Sequence, residues 1–486
     1  MRTLLLFGIL IVTLTPGRAD AQALTDRASV KANLTLLDAW IDSQVAYKQL
    51  PGLAIAIVHD QETVFKKAYG YADVNTKPHR RLTLDTKFRL ASQSKLFTAL
   101  AILKLRDAKK LRLDDPVSDY LPWLKKRSSD TVPVTIRQML THSSGLHREG
   151  ADSPFWTNGS FPSIDEIREG DAVHESVFEP ASTWKYSNLN FVLLGEVVSS
   201  ISGVSFHDFI REELFLPIGM PQTAMNAESF RSNEIAIGYG RRLPDGSREA
   251  FSHADVRGLA AAAGLTSSVN DMIEFLKWQF RVLRKKDSGD VLASSTLHEM
   301  QRTHWVRDDW SDGWGLGFHA IKRKSGPIVG HMGLLPGFKT ATFIDVNTSL
   351  GVIVYANSLD AEPYPGETVS VVDRVFDWIG PSISNTPGNE DEKLNDDWIA
   401  LRGIYRSIFV DTLVLEIGGG LTLVNINSSD PMSTIRKLEP IDGKPNHFRV
   451  IEGDPFYSLG ETAAFSLQDG RAISLKLGAG VLQRIK

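Results

Sequence analysis

The sequence predicts a large α+β domain followed by a small all-β barrel. Three observations carry the prediction. β-rich runs stand near both ends of the first 380 residues, with helical segments between them. A turn- and charge-rich stretch, PSISNTPGNEDEKLNDD, interrupts the pattern from Pro381 to Asp397. From Leu401 onward, short alternating strands (LVLEI, LTLVNI, HFRVI, AAFSL, AISLKL) are separated by Gly, Asp and Asn turns. The expected organisation is a signal peptide over 1–21, an α+β domain over 22–380, a linker over 381–398 and a barrel over 399–486.

Each element has a local reason. Arg2, the apolar run Leu4–Leu14 and the small residues Ala19 and Ala21 before Gln22 read as a cleavable export signal. The run is well short of the roughly 20 residues that span a bilayer, so no stable membrane span is expected. Gly52–His59 and Thr63–Tyr71 flank the turn-like Asp60-Gln61-Glu62 and predict a hairpin. Lys95–Leu105 is rich in helix formers and apolar on nearly every side, the mark of a helix buried in the interior. Leu113–Asn270 reads as helices and loops, including Leu189–Ser200 and the Pro-containing Phe215–Pro221. Strands return at Ile328–His331, Phe338–Asp345 and Ser349–Ala356, and a helix comes next at Val369–Ile379. Gly418-Gly419-Gly420 is a strand-connecting turn, because no helix pattern comes after it.

Composition narrows the function. At 486 residues the chain allows two or three units at about 150 residues each. Its 42% apolar and 23% charged residues are those of a globular protein, and a net charge of -4 offers no basic patch for nucleic acid. The expected partner is therefore a small-molecule or peptide substrate. Without cysteine, the chain can use no thiol nucleophile, disulfide, lipidated Cys or Cys-ligated metal.

Three short motifs carry chemistry. Ser92-Gln93-Ser94-Lys95 stands where a strand-and-loop region enters the buried helix. Residues three apart share a helix face, so hydroxyl and amine can meet beside the positive end of the dipole. Burial would depress the Lys95 pKa and let it take the serine proton. The plain alternative is Ser92 as a helix cap with Lys95 solvated. Tyr186-Ser187-Asn188 precedes a helix pattern; a tyrosine near a cationic lysine can be held partly as phenolate and shuttle a proton, and Asn188 can point an amide at substrate. Simple packing and capping explain the same letters. Gly330-His331-Met332-Gly333-Leu334 lies on a strand, where its glycines permit close approach. There His331 can orient or protonate a substrate group, and the Leu334 amide can face an oxyanion together with the Ser92 amide. It also reads as an ordinary Gly-rich turn.

Taken in order, these motifs resemble those of the serine hydrolases of the class C β-lactamase, penicillin-binding DD-peptidase and related esterase group. LDDPV at 113–117 with YLP at 120–122, VTIRQMLTHSSGL at 134–146 and GLTSS at 264–268 with Asp271 extend the resemblance from roughly Asp38 to Trp378. The resemblance implies a β-lactamase/transpeptidase-like fold with an antiparallel sheet, flanking helices and a helical subdomain. It implies Ser92 as nucleophile, Lys95 as base, Tyr186 as proton shuttle and Asn188 as substrate-amide ligand. His331, Gly333 and Leu334 complete the substrate site, and His142 with Ser143 and Ser144 belongs to a structural loop. No cofactor or metal is implied, and a homo-oligomer is compatible with it. The C-terminal segment containing Leu401-Arg402-Gly403-Ile404-Tyr405 resembles the lipocalin-like barrel appended to some of these hydrolases. That barrel would cover the site, mediate assembly, bind an apolar ligand or only stabilise.

Two departures bear on substrate. Penicillin-active members usually carry a hydroxyl residue where this chain has Met332, and His331 stands where β-lactamases have lysine. A carboxylate facing a thioether loses a bond worth about 1.5–3 kcal/mol, and an ordinary His carries little charge at neutral pH. Both favour esters or peptides without a free terminal carboxylate, unless Lys322, Arg323 or Lys324 supplies a cation. The expectation is an exported, periplasmic or secreted hydrolase of an ester or amide bond; a penicillin-binding or sensing protein with little turnover and a true β-lactamase are the alternatives.

Overall fold

The computed structural model describes residues 24–127, 133–150, 154–284, 291–384, 395–453 and 458–486. The expected signal peptide and most of the expected linker lie outside them. No single helix among the described residues is long and apolar enough to cross a membrane.

A nine-stranded antiparallel sheet organises the first domain. Gly52–His59 is third in the order, paired on one side with Glu62–Asp73 and on the other with Leu350–Ala356. Phe338–Asp345 comes next as the central strand, followed by Ile328–Leu335. Strand residues alternate between faces, and here both faces are covered, so the sequence GLAIAIV is apolar throughout. Leu53, Ile55 and Ile57 join Val352 and Val354 in one core with the helix Ala28–Tyr47 and the helical stretch Val371–Ile379. Ala54, Ala56 and Val58 join Ile353 and Tyr355 in the other, beneath the helices Ser94–Asp107, Asn188–Ser202 and Val269–Arg284. The helix Ser94–Asp107 is buried on nearly every side, as its composition predicts.

The second unit is a closed eight-stranded barrel, Gly403–Arg406 through Gly480–Arg484, with strands in sequential order and the last paired to the first. Tyr405, Phe448 and Phe465 pack edge to face in its interior. The outer face of its second and third strands docks on the first domain. There Leu413, Leu415, Val424 and Ile426 share a core with Trp40 and Trp378, whose rings meet edge to face at 5.4 Å. The Trp40 indole N–H donates to Ser428 O at 3.0 Å, and Asn427 Nδ2 donates to Ser43 Oγ at 3.0 Å. The barrel therefore sits on the sheet face opposite Ser92.

Candidate active site

The strand Phe88–Ala91 delivers Ser92. It packs across Ile328–Leu335 at Gly333, where a Cβ would stand 2.0 Å from Leu90 O; only glycine allows the two strands so close. Ala91 takes a left-handed φ of 51° and Ser92 turns into the helix, a strained approach typical of residues held for function. The helix begins at Ser94, so Ser92 lies just before its first turn; Lys95 N–H donates to Ser92 O at 3.1 Å and fixes the turn.

Lys95 is fully buried below Ser92. Its Nζ lies 3.2 Å from Ser92 Oγ and donates to Asn188 Oδ1 and Ala262 O, each at 2.8 Å. Desolvation holds its pKa well below the usual lysine value, against the opposing charge of Glu149. A neutral amine has two hydrogens and one lone pair. With both hydrogens on carbonyl oxygens, the lone pair is left for the Ser92 hydroxyl.

Tyr186 stacks on His142 at 4.3 Å between ring centroids, and Lys95 Nζ lies 5.0 Å from its ring centre. Burial pushes its phenol well up from 10, with only partial relief from the Ser92 hydroxyl. The expected partial phenolate is therefore corrected: Tyr186 rests as a neutral phenol and would relay a proton as a donor. His142 enters from the helix Ile136–Leu140, which Thr135 and Gln138 cap reciprocally. Its Nδ1 accepts the Ser187 N–H at 3.1 Å, so its structural reading fits its place.

Asn188, 3% exposed, is committed on both sides, with Oδ1 on Lys95 and Nδ2 on Glu149 Oε1 and Oε2 at 2.9 and 3.1 Å. Rather than waiting for a substrate amide, it aligns Lys95. His331 Nδ1 must donate to Met332 O, 2.5 Å away, which leaves Nε2 as an unprotonated acceptor without a partner. Desolvation first, and Lys95 second, lower its pKa to about 3. It is thus no proton donor near neutrality, contrary to one expected role.

Ser92, Tyr186, Asn188, His331, Gly333 and Leu334 all line one cavity of about 910 Å³. Met332 lines it too, while also packing toward the opposite core. No described barrel residue reaches it. Lys322 and Lys324 are not among its lining residues, and Arg323 is engaged by Asp373 and Asp377. The cations that do line it are Arg148 and Arg307, paired with Glu149 at 3.2 Å and Asp312 at 3.3 Å. Trp314 stacks on His319 at 4.5 Å and on Trp184 at 5.4 Å to make an aromatic wall. Sequence reasoning missed Arg148, Glu149 and this wall; the charged pair directly after the HSSGLH loop was the available signal.

A relative from Staphylococcus aureus (strain NCTC 8325 / PS 47), protein flp, is 28% identical over 338 residues, 68% of this chain and 64% of its own length. The chain thus spans less than two thirds of that relative. Penicillin-binding protein 4* of Bacillus subtilis (strain 168) is 26% identical over 407 residues, covering 78% of this chain and 86% of that protein. Among solved structures, an octameric penicillin-binding protein homologue from Pyrococcus abyssi aligns with a TM-score of 0.61 at 23% identity, over 92% of this chain and 99% of that one. D-amino acid amidase from Ochrobactrum anthropi SV3 aligns with 0.59 at 26% identity, over 72% and 99%. The family model described as beta-lactamase matches residues 37–373, and with Ser92, Lys95, Tyr186 and His331 gathered within that span, the chain belongs to the beta-lactamase family of serine hydrolases.

Proposed function

We propose that the protein hydrolyses an amide or ester bond through a Ser92 acyl-enzyme. The observation that carries this is the 3.2 Å approach of Ser92 Oγ to a desolvated Lys95 whose other two polar contacts are acceptors. Lys95 takes the serine proton as Oγ bonds to the substrate carbonyl carbon. The Ser92 and Leu334 amides are assigned to the oxyanion. Tyr186 gives its proton to the departing nitrogen or oxygen and regains one from Lys95. Water then attacks the acyl carbon, losing its proton to the same pair and returning Ser92 to the hydroxyl.

A neutral His331, a thioether at Met332 and paired arginines favour an acyl group without a free carboxylate, such as an amino-acid amide or simple ester. The likeness to a D-amino acid amidase is consistent with that class. The N-terminal composition supports export, to the periplasm or beyond. A second reading, penicillin binding with little turnover, draws on the name of the Bacillus relative. The two separate by intact-mass spectrometry and turnover with a p-nitrophenyl ester, a D-aminoacyl anilide and a fluorescent penicillin. Ester or anilide turnover without a lasting penicilloyl adduct is expected, and Ser92→Ala should lose all of it. Retained turnover in pure Ser92→Ala would sink the assignment, while a lasting adduct on Ser92 without turnover would favour the second reading.

A further inference from the structure

The barrel holds a cavity of about 740 Å³, within the roughly 300–1,000 Å³ typical of small-molecule sites. Strand alternation shows why the cavity lies inside. Val414, Leu423 and Leu438 are interior residues, so Thr412, Asn425 and Arg436, each two positions away on the same strands, face inward as well. Leu477 and Leu482 supply apolar wall, and Phe409, 85% exposed, stands at the rim.

Two hydrogen-bond donors in this cavity have no side-chain partner among the described residues. Thr412 is 1% exposed and its hydroxyl has no partner among the described residues. Arg436 has no ion pair or side-chain hydrogen bond among the described residues. Burial alone acts on it, pushing its guanidinium below the usual arginine value, and no carboxylate opposes the shift. Other barrel arginines differ: Arg402 pairs with Glu416 at 2.7 Å, Arg406 with Asp411 at 2.8 Å, Arg484 donates to backbone carbonyls, and Arg449 and Arg471 are exposed to solvent. The backbone also makes room for Arg436. Gly453, at φ 145°, lies where a Cβ would stand 2.7 Å from Arg436 Cγ. A half-buried cation without a counter-ion and a buried hydroxyl without a partner both cost stability, and an anion would satisfy both.

We propose that the barrel binds a small amphipathic carboxylate, its head group held by Arg436 and Thr412 and its apolar tail lying along Leu477 and Leu482. The site lies on the far side of the sheet from Ser92 and does not depend on the hydrolase reading.

The test is calorimetric titration of the whole protein with decanoate, decan-1-ol and decyltrimethylammonium, alongside sedimentation with phosphatidylglycerol vesicles. Decanoate should bind at one site per chain, at least about tenfold more tightly than the alcohol, and the ammonium should not bind. Arg436→Met should remove the preference for the acid, Thr412→Val should weaken it severalfold, and ester turnover should stay unchanged in both. Should Arg436→Met fail to fold, Leu477→Trp, which fills the cavity and keeps the arginine, should abolish decanoate binding. Equal binding of acid and alcohol, unaltered binding by the folded Arg436→Met or Leu477→Trp protein, or binding to vesicles without binding to decanoate would overturn the proposal.

Discussion

Glu149→Gln tests whether Asn188 aligns the base. The Glu149 carboxylate accepts both contacts from Asn188 Nδ2 and one from the Trp156 indole N–H at 3.1 Å. A glutamine keeps one oxygen and must turn an NH2 toward one of these donors. Losing one charge-assisted hydrogen bond costs about 1.5–3 kcal/mol, and if the Asn188 amide then rotates away from Lys95, kcat/KM falls roughly 10- to 100-fold. The pH profile separates this from simple damage. Glu149 is the charge that raises the Lys95 pKa, while burial and Arg148 lower it; His142 and His331, also nearby, are held neutral by burial. Without Glu149 the base frees its lone pair at lower pH, so the acidic limb of kcat/KM should move down. The assay is ester hydrolysis followed chromatographically from about pH 4 to 9, with thermal unfolding as a control for the fold. An unchanged rate, or an acidic limb that moves up, would refute the reasoning.

Three other outcomes are expected. The folded pKa of His331 is depressed to about 3, so the unfolded chain takes up a proton that the folded chain refuses: the stability is full above about pH 6.5 and falls toward pH 3 by about 1.4 kcal/mol per unit. Urea denaturation of His331→Gln should show that much less slope between about pH 6 and 4. Met332→Thr restores a hydroxyl beside the site and should speed penicillin acylation of Ser92 about tenfold, read by intact mass. Trp40→Ala, which empties the junction between Trp378 and the barrel, should cost about 3–5 kcal/mol in chemical denaturation.

Local signals were legible where one face or one motif decides the structure. The hairpin, the buried helix, the strands from Ile328 to Ala356 and the order of the three motifs could all be read from the letters, and the cavity brings those motifs together. The helix Ala28–Tyr47 was missed although Leu36, Leu37, Trp40, Ile41 and Gln44 keep helical spacing. Arg436–Pro440 was missed because its inward positions begin with an arginine, so no apolar alternation marks the strand. Charge states were harder still. That Tyr186 rests protonated and that His331 cannot donate at neutral pH both result from burial by residues far away in the chain, which no window of sequence reports. Glu149 likewise acquires its meaning only when Asn188, 39 positions on, folds against it.

The docking of the barrel on the first helix sets an order of events in folding. Trp40 is closed over by Ser428 and its neighbours, 388 positions later, so a chain made from its N-terminus carries that indole face bare until nearly all of it has been synthesised. The contact is strongly non-local, and such contacts form late. Until then the helix offers an apolar stripe to whatever else is near, and a chaperone able to hold that stripe would stand in for the barrel.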